Sequence, residues 1–287
     1  MKHGDIEAKT TDVRLAVQED LWTAMRKVMR ARYVFLGVRA DQLSVHLEQA
    51  VTVVLDRGAE GFGFVAAQVR PFDVAVITVA SVEPERQAPG YLGVLLDALQ
   101  RLLRDQGVES LAQVGYAPWL TEVLVSRGFV SREEIVTYEW RAQPVSVQGN
   151  DDVQISTAQQ EDLPQLVQMD SVLFGPVWHK GTSEFSVSYE RAFLFTVARL
   201  GGRIVGYQWC DRAGERAHLT RLAVDSAWQR RGIGTRLLTD TLRRLVQSGV
   251  KLVSLNTQSE NFCAQDLYRH HGFYPLEERV NLWWRDL

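Results

Sequence analysis

A strand-to-helix turn in the C-terminal half, Trp228-Gln229-Arg230-Arg231-Gly232-Ile233-Gly234-Thr235-Arg236-Leu237-Leu238, carries residue types that can bind an anion. Before it, Leu219, Leu222, Ala223 and Val224 read as a buried strand; after it, Leu237, Leu238, Leu242 and Leu245 repeat at helical spacing. The first amides of a helix lack intrahelical acceptors, and that end carries partial positive charge, so together they can hold a pyrophosphate. The glycines let the backbone approach such a ligand closely, and Arg230 and Arg231 add mobile positive charge at the mouth. Two common phosphate-binding patterns fail here. A P-loop needs a Lys-Ser/Thr pair after its last glycine, and Gly234 has none after it; a dinucleotide fingerprint needs a third glycine where Leu237 stands. An ordinary glycine-capped turn remains as the structural alternative.

A second motif lies downstream. After the turn at Ser248-Gly249, Val250 to Leu255 reads as a strand, and a short helix then carries Asn261, Ala264, Leu267 and Tyr268, closed by Gly272-Phe273. The two segments, Q-x-x-G-x-G and then N-x-x-A-x-x-L-Y with G-F, resemble the acetyl-CoA signature of the GNAT superfamily of N-acetyltransferases. The resemblance implies acetyl-CoA as acetyl donor. Its pyrophosphate would lie on the amides of Gly232, Ile233, Gly234 and Thr235, with Gln229, Arg230 and Arg231 around them. Its pantetheine would insert between two splayed strands, Ala217 to Val224 and Val250 to Leu255, and pair with the backbone of Leu222, Ala223 and Val224. Asn261 would fix the loop beside it or, more plainly, cap a helix.

The implied reaction is direct attack of an amine on the thioester: the amine loses a proton, negative charge grows on the carbonyl oxygen and a thiolate leaves. Tyr268 stands at the family's general-acid position; a core aromatic with a wet hydroxyl is the alternative. For the base, the residue matching the glutamate of histone-acetylating members is His218, which titrates near neutrality. Water is the other candidate. The position that holds a glutamate in ribosomal-protein N-terminal acetyltransferases is Asn256 here, which cannot accept a proton, and this weakens an assignment to protein N-termini. Phe174 and Trp178 fall where GNAT proteins build the acceptor pocket, though both also fit a core. His270 and His271 are adjacent, hence on different helix faces, and no further ligand completes a set, so no metal is expected.

The elements that must position these residues occur twice. Glu19-Asp20-Leu21 matches Glu161-Asp162-Leu163; Gly58 and Phe62-Gly63-Phe64 match Gly201 and Val205-Gly206-Tyr207; Leu95-Leu96 matches Leu237-Leu238; Gly128-Phe129 and Trp140-Arg141 match Gly272-Phe273 and Trp284-Arg285. The repeat and the resemblance together imply an α/β (α+β) protein of two tandem GNAT-like domains, 1–143 and 151–287, each a mixed, mostly antiparallel sheet flanked by helices such as Asp20 to Arg32 and Glu161 to Leu173. Ala142 to Asn150, with Pro144 and Gly149, reads as the linker. The copies differ in chemistry. The N-terminal turn reads Gln87-Ala88-Pro89-Gly90-Tyr91-Leu92, with Leu92 in place of the second glycine and no arginines, and Leu124 stands where Tyr268 does. The N-terminal copy is therefore expected to be degenerate, serving as support. Such asymmetry is similar to tandem GNAT proteins of the mycothiol synthase type.

Composition fits a soluble globular protein. A net charge of −3 argues against general nucleic-acid binding, which needs a basic surface. Cys210 and Cys263 form neither a C-x-x-C nor a disulfide framework, which fits a reducing, cytoplasmic home. Met1-Lys2-His3-Gly4-Asp5 opens no apolar signal segment, and no apolar run is long enough for a membrane span. The expected partner is a small-molecule or peptide amine; a monomer fits, since the two copies can mimic a dimer. A non-catalytic acyl-CoA sensor is the alternative from another class, and a tandem aminoacyl transferase acting on cell-wall precursors is opposed by the intact CoA signature.

Overall fold

The computed structural model describes residues 12–28, 31–84 and 88–287. Met1 to Asp5 and Gln87 of the N-terminal turn lie outside the described residues. In chain order the first repeat comprises β1 (Val13–Leu15), α1 (Gln18–Val28), β2 (Tyr33–Leu36), α2 (Leu43–Gln49), β3 (Val51–Asp56), β4 (Phe62–Arg70), β5 (Val74–Glu83), α3 (Ala88–Asp105), β6 (Ser110–Val114), α4 (Pro118–Ser126) and β7 (Val130–Arg141). The second comprises β8 (Gln154–Thr157), α5 (Leu163–Leu173), α6 (Thr182–Arg191), β9 (Leu194–Leu200), β10 (Arg203–Ala213), β11 (Arg216–Val224), α7 (Ile233–Gln247), β12 (Leu252–Gln258), α8 (Phe262–His270) and β13 (Tyr274–Asp286). Apart from β2, the order of elements is the same.

The chain divides into two compact units, Met1–Glu133 with Val280–Leu287, and Glu134–Arg279. This division differs from the split at 143/151 expected from sequence. In the first unit the strand order is β1-β3-β4-β5-β6-β13, and in the second β7-β12-β11-β10-β9-β8. Leu282 to Asp286 of β13 pair antiparallel with β6, and Ile135 to Arg141 of β7 pair antiparallel with β12. Each unit is thus closed by the last strand of the other repeat. The reason it escapes the sequence is physical: an alternating strand shows which of its faces is apolar, not which sheet edge it joins. The expected linker, Ala142 to Asn150, consequently lies inside the second unit.

In the second unit, tight turns at Gly201-Gly202 and Gly214, all with left-handed φ, join β9 to β10 and β10 to β11 as antiparallel hairpins. β11 and β12 are parallel and therefore need a crossover, which α7 supplies. One face of α7, with Leu238, Leu242 and Leu245, packs on Ala217 and Leu219 of β11, Val253 and Leu255 of β12 and Tyr138 and Trp140 of β7. Trp140 is fully buried, and its Nε1 donates to the His271 carbonyl at 2.9 Å, which satisfies the indole in an apolar setting. On the opposite face α5 and α6 cover an aromatic cluster of Phe185, Phe195, Tyr207 and Trp209. Among the described residues, no helix is long and apolar enough to cross a membrane.

Candidate active site

β11 and β12 are paired only from Arg216 to Leu219 and Leu252 to Leu255; beyond that point they part. A bulge assists this. Trp209 of β10 stands opposite Arg221 and Cys210 opposite Leu219, so Thr220 has no partner. An extra residue bends its strand and re-aims the side chains beyond it: past the bulge, Leu222 and Val224 pack toward Ile233 and Leu237 of α7. The parallel pair is thereby opened into a cleft whose floor is the start of α7.

The turn is held from several sides. The Asp225 carboxylate accepts from the Ala227 amide at 2.9 Å, and Gln229 Nε2 donates to the Val224 carbonyl at 3.0 Å, tying the turn to the end of β11. Arg230 and Gly232 adopt left-handed φ of 61° and 75°, and Gly232 is the N-cap of α7. At Gly232 this conformation carries no Cβ penalty.

A cavity of about 590 Å³, within the size range of ligand sites, opens here. Its wall includes Leu222, Ala223 and Val224 of β11, Gln229, Arg230, Gly232, Ile233, Gly234 and Thr235 of the turn and α7, Asn261, and Phe174 at the end of α5. Asn261 also caps α8, its side chain accepting from the Ala264 amide at 3.2 Å. Arg231, Trp178, His218 and Tyr268 are not in the wall. Arg231 lies over the Trp228 ring, 4.8 Å from its centroid. Tyr268 directly follows Leu267, which lines the cavity; it is 7% exposed, packed beside Phe273 and Tyr138 with centroids 5.8 and 6.2 Å away. Burial pushes its phenol up to about 12, so it stays protonated at neutral pH and can donate. His218 on β11 makes a 3.0 Å bond from Nδ1 to Ser254 Oγ; burial draws its pKa down against the pull of Asp211. Among the described residues, no group of His, Cys, Asp and Glu could hold a metal ion.

Sequence reasoning missed two features. Asp170 of α5, 0% exposed, pairs through both oxygens with Arg221 of β11, which also donates to the Trp178 carbonyl at 2.8 Å and lies 3.4 Å over the Phe174 ring. This clamp fastens the segment after α5 to β11 immediately before the strand enters the cavity. The signal was present: a charged residue on each of two faces that periodicity marks as buried. The other feature is the segment Val145 to Asn150, which lies across the start of α7. The Asn150 amide donates to the Gly232 carbonyl at 3.2 Å, its side chain donates to the Arg231 carbonyl at 3.0 Å, and Thr239 Oγ1 donates to the Val147 carbonyl at 3.1 Å. A Cβ on Gly149 would stand 2.3 Å from the Arg236 nitrogen and 2.6 Å from the Gly232 oxygen. Backbone cannot yield as a flexible side chain does. Gly149→Ala is therefore expected to destabilise the protein by about 1–3 kcal/mol, the usual cost of overpacking; an unchanged thermal midpoint would show that the segment is not seated on the turn.

In the first unit the matching positions are filled. Leu92 of α3 and Leu124 of α4 are both 0% exposed, and Tyr91 occupies the space a side chain at position 61 would need.

Residues 163–273 match the family described as "Acetyltransferase (GNAT) family". Over this segment the chain is similar to that family. Among curated proteins the chain is 28% identical over 127 residues to a [ribosomal protein bS18]-alanine N-acetyltransferase of Haemophilus ducreyi, covering 44% of this chain and 86% of that protein. It is 32% identical over 85 residues to a mycothiol acetyltransferase of Clavibacter michiganensis, covering 30% of this chain and only 28% of that protein. Across nearly the whole chain the fold is that of a tandem GNAT protein from the clavulanic acid biosynthesis pathway: TM-score 0.67 and 14% identity, covering 96% of this chain and 98% of that one. The matched residues include β11, the turn before α7 and α8, all of which contribute to the cavity wall.

Proposed function

We propose that the protein is an acetyl-CoA-dependent N-acetyltransferase that moves an acetyl group to a primary amine by direct attack, with its chemistry in the second repeat. The observation that carries this is the cavity wall in which the parted end of β11 meets the free amides of α7. Acetyl-CoA supplies the thioester. The amides of Ile233, Gly234 and Thr235 offer donors to a pyrophosphate, helped by the positive end of α7 and by Arg230. The backbone of Leu222 to Val224, freed from β12, is able to pair with the pantetheine amides. Tyr268 holds a proton for the departing thiolate, and His218 takes one from the incoming ammonium. The first repeat, with Leu92 and Leu124 in the corresponding places, acts as a degenerate support.

The acceptor is a small-molecule or peptide amine. Of the curated relatives described above, one is named for an alanine of ribosomal protein bS18 and the other for mycothiol, and what their names share, acetyl transfer, supports the same reaction class here. Asn256, whose Oδ1 accepts from Thr137, is unable to serve as base and sets the site apart from a glutamate-based mechanism. Release of free CoA thiol from acetyl-CoA, measured across small amines, diamines and peptides, is expected to show turnover with at least one acceptor class. A flat response throughout, with acetyl-CoA binding intact, would replace the enzyme by an acyl-CoA sensor.

A further inference from the structure

His218 belongs to a polar row that crosses adjoining strands. Asp211 of β10 stands opposite His218 of β11, His218 is level with Ser254 of β12, and Ser254 stands opposite Glu139 of β7. Paired residues on neighbouring strands point to the same face. Because Ala217, Leu219, Val253 and Leu255 point toward α7, the row lies on the opposite side of the sheet, the side that carries α5 and α6.

Hydrogen bonds order this row. His218 Nδ1 and Ser254 Oγ are 3.0 Å apart, Ser254 Oγ donates a long bond of 3.5 Å to the Ala217 carbonyl, and Thr220 Oγ1 donates to Asp211 Oδ2 at 2.9 Å. A serine hydroxyl has one proton. The 3.0 Å contact engages Nδ1 and leaves Nε2 as the free ring nitrogen; of the two places the hydroxyl proton can go, Nδ1 or the Ala217 carbonyl, only the second puts the imidazole hydrogen on Nδ1. The lone pair of the neutral ring then sits on Nε2.

We propose that Ser254 is a positioning residue that fixes His218 as the Nδ1–H tautomer, leaving Nε2 to take the acceptor's ammonium proton, with Asp211 as countercharge for the imidazolium. The proposal rests on the reading of His218 as base. The protons balance: one ammonium hydrogen goes to Nε2, the amine nitrogen bonds to the acetyl carbon, the carbon–sulfur bond breaks as Tyr268 gives its proton to the departing sulfur, the surplus hydrogen on the new amide nitrogen passes to the Tyr268 oxygen, and Nε2 releases its proton to water. Other charges near the row are committed elsewhere. Glu139 accepts from the Tyr274 hydroxyl at 3.3 Å and is 3.7 Å from Arg216, and Arg221 is bound to Asp170. Asp211, with Thr220 as its hydrogen-bond donor, is the carboxylate directly across from the imidazole.

Removal of the Asp211 charge takes away the influence that raises the His218 pKa, while desolvation continues to lower it. Asp211→Asn is therefore expected to move the acidic limb of the kcat/KM profile to lower pH. Ser254→Ala should lower kcat roughly tenfold, the scale of one lost hydrogen bond, with KM for acetyl-CoA unchanged. Ser254→Thr, which keeps the hydroxyl on a strand that tolerates β-branching, should restore most of it. Nitrogen NMR of His218 should read Nδ1–H in the parent and a tautomer mixture in Ser254→Ala. His218→Gln separates the layers: disappearance of the near-neutral limb establishes the base, whereas its persistence removes His218 from the mechanism. If that limb disappears but Ser254→Ala leaves kcat and the limb unaltered, or if the resting imidazole carries its hydrogen on Nε2, the role given to Ser254 is overturned.

Discussion

Tyr268→Phe is expected to lower turnover by roughly 10²- to 10⁴-fold, the contribution of a positioned general acid, while folding and acetyl-CoA binding survive. The ring of Tyr268 is part of an apolar cluster with Phe273, Leu238 and Leu255, and phenylalanine keeps all of that packing. What it removes is a phenol that burial holds protonated, with a pKa of about 12, one residue beyond a wall position of the cavity. The phenol is protonated at neutral pH, and the charge that calls on its proton, the departing thiolate, exists only as the carbon–sulfur bond breaks and not in the ground-state thioester. The loss should thus fall on kcat rather than on binding, and shrink for acyl donors whose leaving thiol is more acidic. The first repeat supplies a packing control: Leu124, fully buried at the matching place, shows that the local fold does not require a hydroxyl. Full turnover in the phenylalanine variant would take Tyr268 out of the mechanism.

The parts of the fold that were legible in the sequence are those set by local chemistry. The turn at Gln229 to Gly234 needed glycine for a left-handed N-cap, glutamine to reach back to Val224 and an amphipathic run to carry α7 over the sheet, and each of these is visible as a residue type at a spacing. The element order of both repeats was legible from periodicity taken together with the resemblance. What the sequence left hidden depends on tertiary partners. No pattern in Val130 to Arg141 says that it pairs with β12 rather than with its own repeat, and that pairing is what carries Tyr138 and Trp140 into the core beside Tyr268. Gly149 and Asn150 looked like linker because glycine and asparagine favour loops; here the glycine is required by contact with the backbone of α7 and the asparagine satisfies the Arg231 and Gly232 carbonyls. The Asp170–Arg221 clamp is a different case. Each member is visible as a charge at a buried position, but the two lie far apart in sequence and only the fold pairs them.

Gly234→Leu is expected to abolish most acetyl-CoA binding measured by calorimetry, and to do so without unfolding the protein. Gly234 is the second residue of α7 and lines the cavity. Leucine is the better helix former by roughly 0.5–1 kcal/mol, so the helix itself does not suffer. Space decides the outcome. A Cβ at this position would already lie 3.3 Å from Leu267 Cδ2 and 3.7 Å from Val224 Cγ2, so the remaining carbons of a leucine must turn into the cavity, over the amides that face it. A hydrogen bond to a charged phosphate is worth about 1.5–3 kcal/mol; shielding a pair of such amides would weaken binding by roughly 10²- to 10⁴-fold. The same substitution is already present in the first repeat, where Leu92 stands at the matching position of α3 and is fully buried. The variant therefore asks whether one side chain separates a binding repeat from a supporting one. A thermal midpoint at or above that of the parent, together with lost binding, would assign the effect to the turn; unaltered affinity would place the nucleotide elsewhere on the protein.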